Sequence, residues 1–299
     1  MILSVRHVTT YRYKRPVAFG EHRMILLPRE SHDQKVLDLK LEITPKPADL
    51  RWTQDVFGNH VAVARFAERA AALRIENAVL IDHFPIDVAQ TQVEASARSY
   101  PFAYALADMP ELAPFIARRC PDADHVLAGW ARGFLSEGGS IDTLTLLVKL
   151  TRTIRETFTH VNRHEKGVQD PLLTLRLRRG SCRDLALLMI EAVRSLGMAA
   201  RFVSGYLHLP HDGDDDRDES GGNMHAWLQV YLPGPGWLDF DPSSGIVGNR
   251  DLIRVATVRV PAQAIPLQGT WSGFPTDFLK MTVAVKVRAA VDAPRRTAV

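Results

Sequence analysis

Residues 179–207, RGSCRDLALLMIEAVRSLGMAARFVSGYL, decide the fold. From about Arg183 to Leu196 the apolar residues Leu185, Leu187, Leu188, Met189, Ile190, Val193 and Leu196 almost encircle a helix. A helix that is apolar all round is a buried one. Gly197 follows, a residue suited to the left-handed position that ends a helix. The next run, Arg201 to Leu209, is strand-like, and so are Ala226 to Leu232 and Trp237 to Phe240. The last two flank Pro233-Gly234-Pro235-Gly236, which reads as a hairpin turn. An antiparallel sheet packed on the buried helix gives an α+β unit.

Upstream the pattern changes to period two. Leu37, Leu39, Leu41 and Ile43 alternate with Asp38, Lys40 and Glu42, so one face is buried and the other wet. Leu3, Val5, Tyr11 and Tyr13 share one parity, and Phe57-Gly58-Asn59-His60 is a turn signal. About six short strands fit before Pro85, which suggests a β-sandwich-like domain over residues 1–95. No chemical constellation is visible there, so it reads as a packing or interaction domain. A stretch with Pro85, Pro101, Pro110, Pro114 and Pro121 links it to a second domain over residues 96–290. There Leu144, Leu147, Val148, Ile154 and Phe158 have helical spacing, with Ser140 or Asp142 to cap the start. Leu279, Met281, Val283, Val285 and Val287 alternate in a last strand, and residues 291–299 read as a frayed tail.

Composition removes several function classes. The net charge of +3 is small and the basic residues are scattered, which argues against nucleic acid. No apolar run reaches the ~18 residues of a membrane helix, and the opening MILSVRHVTTYRYK lacks the features of a signal peptide. The two cysteines, Cys120 and Cys182, read as free thiols in a reducing compartment, so a cytoplasmic protein is expected. The acidic run HDGDDDRDESGGN, between Leu209 and Met224, lacks the spacing of a calcium loop and reads as a solvated loop.

Three segments carry chemistry: Arg179-Gly180-Ser181-Cys182-Arg183-Asp184, Met224-His225-Ala226-Trp227 and Gly236-Trp237-Leu238-Asp239-Phe240-Asp241-Pro242. A thiol is nucleophilic as its thiolate, and a helix N-terminus stabilises an anion there. Gly180 lets the chain approach a substrate closely. The same N–H groups can hold the oxyanion of acyl transfer. An imidazole must take the thiol proton and deliver it to the leaving group, and a third group must orient that imidazole. His225 and Asp241 lie on either side of the turn. A symmetric turn sets Asp241 opposite Leu228, so pairing with His225 calls for a bulge or an asymmetric turn. Asp239 has the same parity and competes for the third role. Asp184 reads as an acid favoured in the first helical turn, with Arg183 beside it. Trp227 and Trp237 flank the site as walls of a cleft or as core aromatics. His160 and His164, with Glu165 adjacent, have the spacing of two zinc ligands but no third. No metal or cofactor is expected.

GSCRDLALLMIEAVRSLGMAARFVSGYL, MHAW and GWLDFDPSSG, with GVQDPLLTLRLRRGSC upstream, resemble the transglutaminase-like superfamily, whose core is papain-like. The β-rich first part resembles the N-terminal domain of its bacterial members. The resemblance implies Cys182 as nucleophile, His225 as base, Asp241 as orienter and a thioester acyl-enzyme. Gln169 becomes a candidate oxyanion donor, since a papain-like site often adds a side-chain donor. The implied substrate is a peptide, a protein or a small amide. Water as acceptor gives a peptidase or amidase, and an amine gives a transglutaminase. The rival from another class is a catalytically silent peptide-binding module. Met224, Leu252, Val258 and Val260 depart from the residues usual in bacterial relatives, which bears on substrate preference.

Overall fold

The computed structural model describes residues 1–163, 165–208 and 224–290. The acidic loop, His164 and the 291–299 segment lie outside the described residues. Period-two burial drives the first part. In β1 (Ile2–Met24) Leu3, Val5, His7 and Thr9 are buried and their neighbours are not. With β2 (Gln34–Thr44), β3 (Asp49–Gln54), β4 (His60–Arg65) and β5 (Arg69–His83) it forms a curled sheet ordered β2-β5-β1-β4-β3. The β1–β5 register shifts between Arg12 and Val17, where β1 bends. Beyond the bend, Tyr13, Val17, Phe19, Met24, Leu73 and Ile75 make a core of their own. Before it, Leu3, Val5, Val79 and Ile81 join the main core.

The middle of the chain is helical. It runs through β6 (Ser99–Tyr100), α1 (Met109–Ile116), α2 (Val126–Arg132), β7 (Ile141–Asp142) and α3 (Thr143–Thr157). Asp142 caps α3 by accepting from the Thr145 N–H at 2.8 Å. Then come β8 (Thr159–His160), α4 (Pro171–Leu177), β9 (Arg179–Gly180) and α5 (Cys182–Ser195). α5 is the buried helix read from the sequence, and Gly197 at φ +81° follows its end. Near its C-terminal end two opposite charges are buried: Arg194 Nη1 pairs with Glu191 at 2.8 Å. Arg194 also donates to the carbonyls of Phe115, Ala200 and Arg259, and Glu191 accepts from the N–H groups of Arg119 and Cys120. Each buried charge is thus fully hydrogen-bonded, which such groups require, and together they pin the segment after α1 to α5.

α5 packs on the second sheet, made of β10 (Ala200–Leu207), β11 (His225–Leu232), β12 (Gly236–Asp241), β13 (Ile246–Val247) and β14 (Leu252–Val258), in the order β13-β12-β11-β10-β14. The hairpin register differs from the symmetric one expected. Leu232 pairs with Gly236, so the loop is Pro233, Gly234 and Pro235, and Leu228 faces Phe240. Gly234 (φ +98°) and Gly236 (φ +77°) supply the left-handed backbone that centres the turn on Gly234.

The chain then returns to the first sheet. β15 (Leu267–Ser272) and β16 (Phe278–Ala289) both pair with β1. Residues 267–289 therefore belong to the N-terminal sheet and not to a continuous 96–290 domain. The alternation in 279–287 marked a strand correctly, but its partner lies at the far end of the sequence.

The two sheets are fastened through β14. Arg254 reaches Asp33 by both guanidinium nitrogens, one at 2.8 Å, and also Asp239 at 3.3 Å and Ser31 at 2.7 Å. Asn249 donates to Asp33 at 2.6 Å, and Gln34 exchanges hydrogen bonds with the Arg254 backbone. Asp33, Arg254 and Asp239 are all buried. Removing one partner of such a set leaves uncompensated charge, at about 3–5 kcal/mol. Arg254→Met is therefore expected to lower the urea unfolding free energy by roughly that amount, with Asp33→Asn in the same chain recovering part of it. Unchanged stability in Arg254→Met would mean the cluster does not hold the sheets together.

Candidate active site

The α5 entrance is built around one carboxylate. Asp184, fully buried, accepts from the Ser181 N–H at 2.8 Å and the Ser181 hydroxyl at 2.7 Å. It also accepts from the Gln169 N–H at 2.7 Å and from Arg163 Nη1 at 2.7 and 2.8 Å. A carboxylate at the third helical position reaching back to the N-cap is half of a capping box. Gly180 is needed beside it, because a Cβ there would sit 2.8 Å from Asp184 Cβ. Its role is thus to admit Asp184 and not, as the sequence suggested, a substrate. Arg183 donates to the carbonyls of Arg163 and Glu165, tying down the same loop. Cys182 opens the helix at its first position, half-buried, with the unpaired N–H groups around it.

β11 and β12 bring the other two residues together. Gln229 faces Asp239, and the side chains of His225, Trp227, Gln229, Asp239 and Asp241 share one parity. The His225 Nε2–H donates to Asp241 Oδ2 at 2.7 Å. The Trp227 Nε1–H donates to Asp239 Oδ1 at 2.6 Å. Both are the same diagonal step across the twisted pair, so no bulge is needed between β11 and β12. Asp241 is fully buried and also accepts from the Ser243 hydroxyl at 2.7 Å and N–H at 2.9 Å. With Nε2 held, Nδ1 of His225 is the nitrogen left for the thiol.

The charges follow from this packing. Burial pushes the Cys182 thiol up, but hydrogen bonds from His160 and His225 and the His225 charge outweigh it and bring it down to about 6. Burial pulls His225 down, but the Asp241 charge and hydrogen bond, with the thiol, raise it to about 10. Burial likewise works against the Asp241 anion, and His225, Ser243 and Ser244 hold its carboxyl below the usual range. Between those two values thiolate and imidazolium coexist.

The remaining candidates fall elsewhere. Asp239 binds Trp227, Gln229 and Arg254 and so belongs to the sheet's support. Trp227 is completely buried and lies 6.1 Å from the His225 ring at 27°, a brace for the imidazole rather than a cleft wall. Trp237 lies under the Arg201 guanidinium at 4.1 Å and packs on Phe115 and Tyr231, away from the triad. Gln169 Nε2 donates to Thr174 Oγ1 at 2.9 Å and the Arg179 carbonyl at 3.0 Å. Its amide hydrogens are engaged, so it holds the α4–β9 turn in place of an oxyanion. Leu252 and Val258 are buried core residues of β14. A groove of ≈ 940 Å³ between residues 85–88, α3 and Val247 includes none of the triad.

Two residues near the chemistry were not given that role by sequence reasoning. Ser243 supports Asp241, and its signal was an Asp followed two positions later by a hydroxyl residue, a local turn pattern. His160 was weighed only as half of a zinc pair. It lies beside Gly180 through the parallel β8–β9 pairing, a non-local contact with no sequence signal.

Residues 3–82 match the bacterial transglutaminase-like N-terminal region, and residues 136–242 match the transglutaminase-like superfamily. An uncharacterized protein of Mycobacterium tuberculosis is 30% identical over 281 residues, covering 89% of this chain and 86% of its own. One from Mycobacterium leprae is 36% identical over 95 residues, 32% of this chain and 33% of its own. Among solved structures, a candidate cysteine protease from Cytophaga hutchinsonii superposes with a TM-score of 0.71 at 19% identity, covering 98% of this chain and 93% of that one. No helix among the described residues is long and apolar enough to cross a membrane.

The thiolate form of Cys182 accumulates as pH rises through about 6, whereas burial, with Asp170 and Glu191 nearby, pushes Cys120 up to about 11. Iodoacetamide at pH 7 is therefore expected to alkylate Cys182 and spare Cys120, as read by peptide mass spectrometry. His225→Ala removes a charge and a hydrogen bond that oppose burial, so the Cys182 midpoint is expected to move up, toward or beyond the ~8.5 of a free thiol. An unshifted midpoint would break the thiolate–imidazolium assignment.

Proposed function

Because this chain belongs to the transglutaminase-like superfamily, we propose that it is a thiol acyl-transfer enzyme that cleaves a peptide or amide bond through a thioester on Cys182. The observation that carries the reading is the 2.7 Å bond from His225 Nε2 to a fully buried Asp241, with the same imidazole near enough to the thiol at the α5 N-terminus to hold its pKa down. The thiolate attacks the carbonyl carbon. The C–S bond forms as the carbonyl π pair moves to oxygen, and the N–H groups at the start of α5 receive that charge. The tetrahedral intermediate then collapses, and His225 gives its proton to the departing nitrogen. Water enters, His225 takes one of its protons, and the C–S bond breaks to give the free acid and the Cys182 thiolate, which restores the thiolate–imidazolium pair. Asp241 fixes the ring and balances the imidazolium throughout, without itself being protonated.

Water as the acceptor is supported by the description of the Cytophaga hutchinsonii neighbour as a candidate cysteine protease. An acyl-enzyme on the same triad would pass to a primary amine if one were seated first, so the acceptor is decided by competition. With p-nitrophenyl acetate as a generic acyl donor, an acetyl adduct is expected on Cys182 and is expected to vanish in Cys182→Ala. Its absence from the native protein would leave the peptide-binding reading instead. Release of the acetyl group unaffected by added glycine amide supports hydrolysis. Capture by the amine reverses that choice.

The two carboxylates of β12 separate by their partners. Asp241→Asn takes the acceptor from His225 and is expected to lower turnover by about 10⁴, the order found for such a change in a serine protease triad. Asp239→Asn disturbs the Arg254 cluster and is expected to lower stability by about 1–3 kcal/mol while leaving turnover per folded molecule within a few-fold. Equal loss of turnover in both, measured at a temperature where both are folded, would remove Asp241 from the third role.

A further inference from the structure

We propose that His160 is a second catalytic imidazole, the side-chain donor to the oxyanion that forms when Cys182 attacks a carbonyl. The proposal rests on the acyl-transfer reading. β8 and β9 place His160 there: His160 pairs with Gly180, the Thr159 N–H donates to the Arg178 carbonyl at 2.8 Å, and the Val161 N–H donates to the Gly180 carbonyl at 3.0 Å. These bonds fix the backbone on both sides of His160 against the strand that leads into Cys182. Its imidazole is exposed, and it stands close enough to the Cys182 thiol to help hold its pKa down. The ionisable groups acting on the thiol are therefore His160 from β8, His225 from β11 and Asp241 from β12.

The two imidazoles are not equivalent. His225 has a buried carboxylate on its far nitrogen, which suits a ring that must gain and lose a proton during each turnover. Among the described residues His160 has no carboxylate partner, and it faces solvent. A ring so placed is suited to donating a hydrogen bond without carrying the proton. Before attack that bond falls on the thiolate. As the C–S bond forms, the sulfur loses its charge, and an equal charge appears on the oxygen of the carbon now bonded to it. A donor already aimed at the sulfur is within a short reach of that oxygen, and the backbone N–H of Cys182 supplies the other bond. The amide of Gln169, which would otherwise compete for this role, is engaged by Thr174 and Arg179.

The test compares two reagents on the full chain. Iodoacetamide displaces iodide and builds no oxyanion, whereas p-nitrophenyl acetate builds one. Because His160 also helps hold the Cys182 pKa down, both reactions are read above each protein's own alkylation midpoint, where the thiolate is fully formed. There His160→Ala is expected to lower the p-nitrophenolate burst rate about ten- to a hundredfold, at or below the low end of the effect of losing one oxyanion donor. Its alkylation rate is expected to stay within threefold of the native protein. His160→Gln, which keeps a donor, is expected to recover at least a third of the lost burst rate, and thermal melts of both variants report that they fold. Parallel loss of both reactions, or no loss of either, overturns the oxyanion role. Inert Cys182 in the native protein would instead sink the acyl-transfer reading, and that result is distinct because it needs no variant.

Discussion

The Asp184 carboxylate is the point on which the α5 entrance depends. It is buried without solvent and satisfied by the N-cap residue, by the backbone of residue 169 and by Arg163. One helical turn is thereby locked to the loop before it. Helix ends normally fray, and a fraying end would carry Cys182 with it. Here the nucleophile's φ and ψ are set by a residue two positions on. Gly180 is forced by the same carboxylate, since no side chain fits between them.

The imidazole is positioned from the opposite direction. His225 rests on Trp227, whose indole nitrogen is bound to Asp239, which meets Arg254, which is clasped by Asp33 in the turn that leads into β2 of the N-terminal sheet. A continuous set of packed and hydrogen-bonded groups thus joins the first sheet to His225. Gly205, opposite His225 on β10, completes the fit: a Cβ there would lie 2.0 Å from the Ile253 carbonyl and 2.6 Å from the Trp227 ring. The N-terminal sheet is part of the scaffold that positions His225, beyond the packing or interaction role its sequence pattern implied.

Local rules reached the buried helix, its glycine stop, the hairpin and the candidates Cys182 and His225, because each is written in a short stretch of sequence, whereas the choice of Asp241 over Asp239 came from the resemblance to the transglutaminase-like superfamily. They missed what depends on distant pairing. The register of the hairpin turned on Gly234 and Gly236 both taking the left-handed position, and alternation alone places Asp239 and Asp241 alike. Only the buried hydrogen bonds separate them. The strand at 278–289 was legible as a strand, but its place beside β1 was not. Gln169 looked available from its position before the cysteine and proved engaged, whereas His160 drew attention for its spacing to His164 rather than for its closeness to Gly180. Asp33 and Arg254 are ordinary surface-type residues in sequence, and nothing local marks them as buried partners.

The pairing of β1 with β5 on one edge and with β16 on the other has a temporal consequence. β1 leaves the ribosome first, and β5 soon covers one of its edges. The other edge, from Leu3 to Tyr13, has no partner until residues 278–289 have been made. Throughout synthesis of the catalytic core that edge is a row of open backbone groups, the kind of template on which other chains can add. Closing the sheet last makes its completion a late, long-range step, which slows folding as such contacts do. It also means that a nascent chain already carrying Cys182, His225 and Asp241 still lacks a finished scaffold.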